Sequence, residues 1–288
     1  MIRAAAWILG LVLVAIIATG IFVSRAAPAR SEADWAAVTP IRPVRGMPLE
    51  HWRRQVLYDE LQPVKLTNCV LERFGEANDG GYVVCANLLK DVRAGYSYGI
   101  SGYDKWGCDI STRLSIPMHQ YDCFDLRQPV CVSGKTIFHA ECVGGRSEII
   151  ENRPYDSIAN QLRKNGDYPH HVVLKMDVEG SEWDSFMNIP EELLDRIDQL
   201  AIEMHGVSDD KARTIVRHLK RHFYIVSLHY NNFACYPASD PFPAYVFEVL
   251  FVNRRIGVLD PAGKAEHPSP LNHPNNPLGP DCQVLTKK

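Results

Sequence analysis

From about residue 94 to residue 253 the chain alternates short β-rich runs with amphipathic ones, a pattern that leaves few architectures open. GYSYGI (95–100) is followed by WGCDISTRL, MHQYDCF (118–124) by a turn-rich stretch, and TIFHAECV (136–143) by YDSIANQLRK (155–164). VVLKMDV (172–178), SEWDSFM, QLAIEMH (199–205), a helix at about 209–222, YIVSLHY (224–230) and YVFEVLFV (245–252) complete the series. The helix is the clearest element, because Ala212, Ile215, Val216, Leu219 and Phe223 fall on one face at the helical period. Such alternation predicts one α/β domain built on a mainly parallel sheet with helices on both sides. Ligands of these sheets bind beyond the carboxyl ends of the strands, near the point where strand order reverses, so the residues just after each strand carry the functional signal.

The flanks are of another kind. Ala4 to Val23 is uncharged, and about 20 apolar residues in a helix suffice to cross a hydrocarbon core of about 30 Å. This run is expected to be a single transmembrane anchor that places the protein at a membrane. The competing reading is a signal peptide cleaved near Ala27-Pro28-Ala29, against which the apolar run is longer than a usual h-region. Arg3 on one flank and Arg25, Arg30 and Arg42 on the other leave the orientation open. Residues 24–47 read as an Ala-, Arg- and Pro-rich stalk and residues 48–259 as the folded domain. Residues 260–288, dense in proline, read as an irregular or mobile tail. A net charge of −3 excludes a polycationic nucleic-acid coat, and no nucleic-acid partner is expected.

At the first strand end, Gly99-Ile100-Ser101-Gly102 has two glycines three apart, which permits a tight turn under a nucleotide-like group; an ordinary glycine-containing turn is equally open. Neither G-x-G-x-x-G nor a Walker A motif occurs in the chain. The second strand ends at Phe124-Asp125, and Asp125 lies 23 residues after Gly102, near the separation that puts an acid beside a ribose. Its alternative is a solvated loop aspartate. The fourth strand delivers KMDVEGSEW (175–183), where Asp177 is a site candidate because acids at the rim of a buried strand are costly unless paired or used. Glu182 suits the first turn of the next helix, and Glu179 can serve either the helix or a substrate. The fifth strand ends in Glu203-Met204-His205 and the sixth in His229-Tyr230-Asn231-Asn232, so that His205, His229, Asn231 and Asn232 converge with Asp177 and Glu179 on one mouth.

The segments NDGGYVVC (78–85), YSYGISGYD (96–104), YDCFD (121–125), VVLKMDVEGSEW (172–183) and QLAIEMHG (199–206) resemble the S-adenosylmethionine-dependent methyltransferases of the FkbM type, especially their membrane-anchored relatives, over about residues 66–253. The resemblance implies a Rossmann-like methyltransferase fold with a final antiparallel strand, here YVFEVLFV. It assigns Gly99, Ser101 and Gly102 to the methionine side of the cofactor S-adenosylmethionine, Asp125 to its ribose, and Asp79 and Tyr82 to the site entrance. The implied function is methyl transfer to a hydroxyl of a sugar or other small polar acceptor, with Asp177 or His205 taking the proton. A non-catalytic, membrane-tethered module of the same fold is the alternative, since fold alone does not establish activity. Asp177, Glu179, Glu203 and His205 also offer metal ligands, but the base mechanism calls for the same groups and no metal is assigned.

Eight cysteines without a C-x-x-C pair argue against a structural zinc site. The even count permits disulfides, with Cys69/Cys85 and Cys131/Cys142 placed to face each other across antiparallel segments, while Cys123 reads as a small buried thiol in an apolar strand. Disulfides would point to an oxidising compartment.

Overall fold

The structure is a computed structural model that describes residues 46–207 and 210–282. The anchor expected at 4–23 and nearly all of the stalk lie outside the described residues. Among the described residues no helix is long and apolar enough to cross a membrane.

Helix α1 (Leu49–Glu60) leads into β1 (Val64–Leu66) and a hairpin of β2 (Leu71–Gly75) and β3 (Gly81–Cys85). Then come β4 (Ala94–Tyr98), α2 (Lys105–Leu114), β5 (Pro117–Tyr121) and β6 (Lys135–His139). Three short strands, β7 (Cys142–Val143), β8 (Glu148–Ile150) and β9 (Arg153–Asp156), form a small sheet of their own. The remainder is α3 (Ile158–Asn165), β10 (Val172–Met176), α4 (Glu182–Met187), α5 (Glu191–Leu194), β11 (Ile197–His205), α6 (Asp210–His222), β12 (Phe223–Tyr230), β13 (Val246–Asn253) and β14 (Leu259–Lys264).

The central sheet has the order β12-β13-β11-β10-β4-β5-β6, parallel throughout except for β13, which is antiparallel to both its neighbours. The chain steps outward from β4 to β6 and returns to lay β10 on the other side of β4, so strand order reverses between β4 and β10. This mixed α/β sheet, with one antiparallel strand slotted beside the fifth parallel one, is Rossmann-like. Every residue of β4 and β10 is buried, as a parallel sheet covered on both faces requires. Leu162, Leu193, Ile215 and Leu219 seat α3, α5 and α6 on one face; Trp106, Ile110 and Val84 seat α2 and the hairpin on the other. Asp104 caps α2 by accepting from the Gly107 amide at 2.8 Å, and Ser157 caps α3 by accepting from the Asn160 amide at 3.3 Å.

All eight cysteines pair, as Cys69–Cys85, Cys108–Cys131, Cys123–Cys142 and Cys235–Cys282. The first pair is the one expected from facing strands. The second expectation is corrected: Cys131 meets Cys108 on α2, and Cys142 meets Cys123. Cys123 is no buried thiol, because β5 ends at Tyr121 and the cysteine lies in the following loop, within reach of the start of β7. The tail also departs from expectation. Leu259–Lys264 is a strand paired antiparallel with β1, and residues 265–282, which carry no regular element, are tied down. Prolines withdraw backbone donors there, and asparagine side chains supply them: Asn272 donates to the Leu228 carbonyl at 3.1 Å and Asn275 to Glu248 at 2.8 Å.

The Cys235–Cys282 bond fastens this tail beside β12. Replacing both cysteines by serine is expected to cost about 2–4 kcal/mol in non-reducing urea unfolding of the full chain. An unchanged midpoint would mean that the asparagine contacts alone hold the tail.

Candidate functional site

At the point of strand reversal the backbone is drawn together. The Asp177 amide donates to the Tyr98 carbonyl at 3.1 Å, and the Gly99 amide to the Tyr121 carbonyl at 3.0 Å. Gly99 has φ +70°, and a Cβ there would lie 1.6 Å from the Asp177 carbonyl oxygen, so only glycine fits. One buried carboxylate then joins two loops. Asp122 Oδ2 accepts from the amides of Ile100 (3.1 Å) and Ser101 (2.8 Å), while its Oδ1 accepts from those of Phe124 (2.8 Å) and Asp125 (3.0 Å).

These loops border a cavity of about 260 Å³ walled by Tyr98, Ser101, Asp125, Val143, Tyr155 and Asp177, with the Cys123–Cys142 disulfide in the same wall. The Tyr98 hydroxyl is buried there without a hydrogen-bond partner among the described residues. Asp125 is paired with Arg127, whose guanidinium and amide hold the carboxyl at about 2. Arg127 is 79% exposed, so this is a surface pair of small worth that a ligand can displace. An apolar slot, an orphan hydroxyl and an acid in the loop after the second strand fit a nucleoside-bearing cofactor.

Beside this cavity the ligating atoms of Asp177, Glu203 and His205 lie within 4.8 Å of one another. The Tyr82 hydroxyl sits 3.0 Å from Asp177 Oδ2 and 3.3 Å from Glu203 Oε2, and Asn231 Nδ2 donates to Glu203 Oε1 at 2.9 Å. Lys175 is buried underneath, donating to the Gly99 carbonyl at 3.0 Å with its Nζ 3.6 Å from Asp177. Burial, then Asp177 and Glu248, push Glu203 up to about 8. Burial alone would lower His205, but the Glu182 carboxylate at 3.2 Å from Nδ1, aided by Glu203, outweighs it and raises the imidazole to about 9. His205 Nε2 is 3.4 Å from Glu179. Two carboxylates and an imidazole so placed can hold a proton, and their donor chemistry also suits a divalent cation.

Of the residues singled out in the sequence, Gly99, Ser101, Asp125, Glu179 and Asp177 line the cavity, and Tyr82, Asn231 and His205 join Asp177 around Glu203. Four do not reach this mouth. Gly102, at φ +74°, closes the turn without lining the cavity. His229 spends its ring nitrogens on Glu248 and Asp281, each at 3.3 Å; Asn232 clamps the tail through Asn276; exposed Asp79 accepts from Asn275 at 3.0 Å. Glu182 does more than sit in a helical first turn, since its carboxylate accepts from the amides of Gly180 (2.8 Å) and His205 (2.7 Å). Sequence reading missed Asp122, Tyr98, Val143 and Tyr155. The second strand, read as ending at Phe124-Asp125, ends at Tyr121, so the acid at its end is Asp122 and Asp125 lies in the loop four residues past Tyr121.

No protein-family model matches this chain, and no curated protein does. Among solved structures, it is similar to the methyltransferase FkbM from Methylobacillus flagellatus, at 13% identity and a TM-score of 0.38. The match covers 56% of this chain and 44% of that one, less than half the neighbour's length.

Glu203 and His205 both hold protons more tightly in the folded chain than in an unfolded one, so the native state binds more protons and its stability falls as pH rises. For Glu203 the loss begins above its ordinary value of 4.5 and for His205 above 6.5, and it is complete past about 8 and about 9 respectively. Urea midpoints measured between about pH 6 and pH 9 are expected to decline, and the decline to flatten in Glu203→Gln. Equal slopes in the two proteins would count against this coupling.

Proposed function

We propose that the chain is an S-adenosylmethionine-dependent methyltransferase that acts on a hydroxyl of a sugar or other small polar acceptor and is tethered to a membrane by residues 4–23. One observation supports this reading above the others: Asp177 belongs both to the cavity beside the Gly99–Gly102 turn and to the acid cluster with Glu203 and His205. A cofactor site and a proton acceptor thereby share one residue at the switch point of the sheet.

The cofactor supplies a methyl group on a sulfonium, which is already electrophilic. The protein's own work is to hold the acceptor in line and to remove its proton. Gly99, Ser101 and the orphan Tyr98 hydroxyl would face the cofactor, and Asp125 would exchange Arg127 for vicinal ribose hydroxyls. Asp177 takes the proton in this scheme. His205 is held protonated near neutral pH by Glu182, which suits it to orient an acceptor oxygen as a donor rather than to act as the base. The pairing of all eight cysteines supports a fold that matures on the oxidising side of the membrane.

A second reading, a tethered binding module without turnover, draws on the Asp125–Arg127 pair, which already occupies the ribose acid. Calorimetry and labelled-methyl transfer separate the two. On the first reading S-adenosylmethionine binds, Asp125→Ala weakens it by about 10- to 150-fold, and Asp177→Asn keeps binding but loses about 10²–10⁴ in rate. Cofactor binding with no transfer to any extract component would favour the module, and absence of binding would overturn the enzyme.

A further inference from the structure

A larger cleft, of about 890 Å³, opens on the other side of the 177–183 turn. Asp177, Val178, Glu179 and Ser181 face the first cavity, whereas Gly180 and Trp183 face this one, together with His205. The His205 Nε2–Glu179 contact at 3.4 Å therefore joins a residue of one cavity to a residue of the other. The volume lies within the range of about 300–1,000 Å³ usual for small-molecule sites.

Its walls have a definite chemistry. Tyr236 and Tyr245 are 53% and 48% exposed, with ring centroids 6.3 Å apart and planes at 83°, so an edge-to-face pair of half-bare aromatic rings lines the cleft. Large aromatic side chains left half bare inside a concavity offer apolar area with a polar tip and suit a ligand that is itself amphipathic. Helix α1 brings two arginines to the same cleft, and they are not equivalent. Arg53 is spent on Glu50 and Asp210, both at 3.1 Å. Arg54 donates its Nε to the Asp240 carbonyl at 3.0 Å, which fixes the guanidinium, and among the described residues no carboxylate pairs with it. A positioned guanidinium with unspent Nη donors is a bidentate receptor for a carboxylate or phosphate.

The geometry points to an acidic sugar as the occupant: a pyranose whose ring lies on Tyr236 and Tyr245, whose carboxylate or phosphate is taken by Arg54, and whose hydroxyl reaches His205. This names the acceptor class for the site of the proposed methyltransferase and rests on that reading for its role, though not for its binding chemistry.

Binding to the full-length chain in detergent tests it by calorimetry, with 4-nitrophenyl β-D-glucuronide, 4-nitrophenyl β-D-glucoside, glucose 6-phosphate and inorganic phosphate as probes. At least one of the two acidic sugars is expected to bind tenfold or more tighter than the neutral glucoside, and which one does so tells a carboxylate from a phosphate. Arg54→Ala is expected to erase that advantage at an unchanged thermal midpoint, and Arg54→Lys to keep part of it. Tyr245→Ala should weaken the acidic sugar and the neutral glucoside by a similar factor. Equal affinity for the acidic and neutral sugars, or a preference that survives Arg54→Ala, overturns the assignment. Inorganic phosphate binding as tightly as the acidic sugar overturns its sugar half. S-adenosylmethionine is titrated in parallel. If it binds while the sugars are not told apart, this inference fails alone; if it does not bind while the acidic sugar still does, the methyltransferase reading fails and the cleft assignment stands.

Discussion

The site depends on one buried carboxylate. Asp122 takes four backbone amides, two from the loop after β4 and two from the loop after β5, and so turns the ends of adjacent strands into a single unit. Hydrogen bonds to a charged acceptor are the stronger kind, each worth about 1.5–3 kcal/mol, and leaving those amides unpaired would cost more than the bonds return. Ser101 at φ 47° holds a left-handed conformation that needs such support, whereas Gly102 at φ +74° takes it freely. Cys108–Cys131 and Cys123–Cys142 then clamp the far side of the second loop to α2 and to β7. The cavity wall is fixed by covalent bonds and by a carboxylate, with little left to loop entropy.

Glu182 does the corresponding work on the other side. The turn from Asp177 to Ser181 passes through Glu179 at φ 54° and Gly180 at φ +106°, and Glu182 reaches back to the Gly180 amide and across to the amide and ring of His205. A carboxylate at the start of α4 thus stitches the end of β10 to the end of β11. The same turn lies between the two cavities, presenting Asp177, Val178, Glu179 and Ser181 to one and Gly180 to the other.

Much of this was legible in the sequence, for physical reasons. A parallel sheet buries its strands on both faces, so VVLKM and QLAIEM announce themselves as apolar runs, and the apolar stripe of α6 is fixed by helical period. The ends of β10 and β11 were therefore readable, and with them Asp177, Glu203 and His205. Side-chain partners were not. Eight cysteines admit 105 pairings, and only the chain path around β5 and β7 selects Cys123–Cys142. His229, Asn231 and Asn232 are close in the sequence, but the strand ends at Tyr230 and a short helical turn begins at Asn232, and the tail residues that engage His229 and Asn232 are more than forty residues away. Prolines made that tail read as irregular or mobile; irregular it is over 265–282, but a sequence shows the donors that prolines remove and hides the asparagine side chains that tie the segment down.

The parallel register of β10 on β11 finally decides where a proton can rest. Met176 is the partner of Ile202, so the next residues, Asp177 and Glu203, emerge side by side, on strands about 4.8 Å apart. Two carboxylates at that separation resist charging together, and burial adds to the resistance. Their surroundings differ: Asp177 has the Lys175 ammonium 3.6 Å away, while Glu203 is hemmed by Asp177 and Glu248 and is the member that retains a proton near neutral pH. The Tyr82 hydroxyl lies between them, at 3.0 and 3.3 Å, with one proton to give and lone pairs to accept another. The asymmetry needs no group beyond those the two strand ends and the hairpin already bring together.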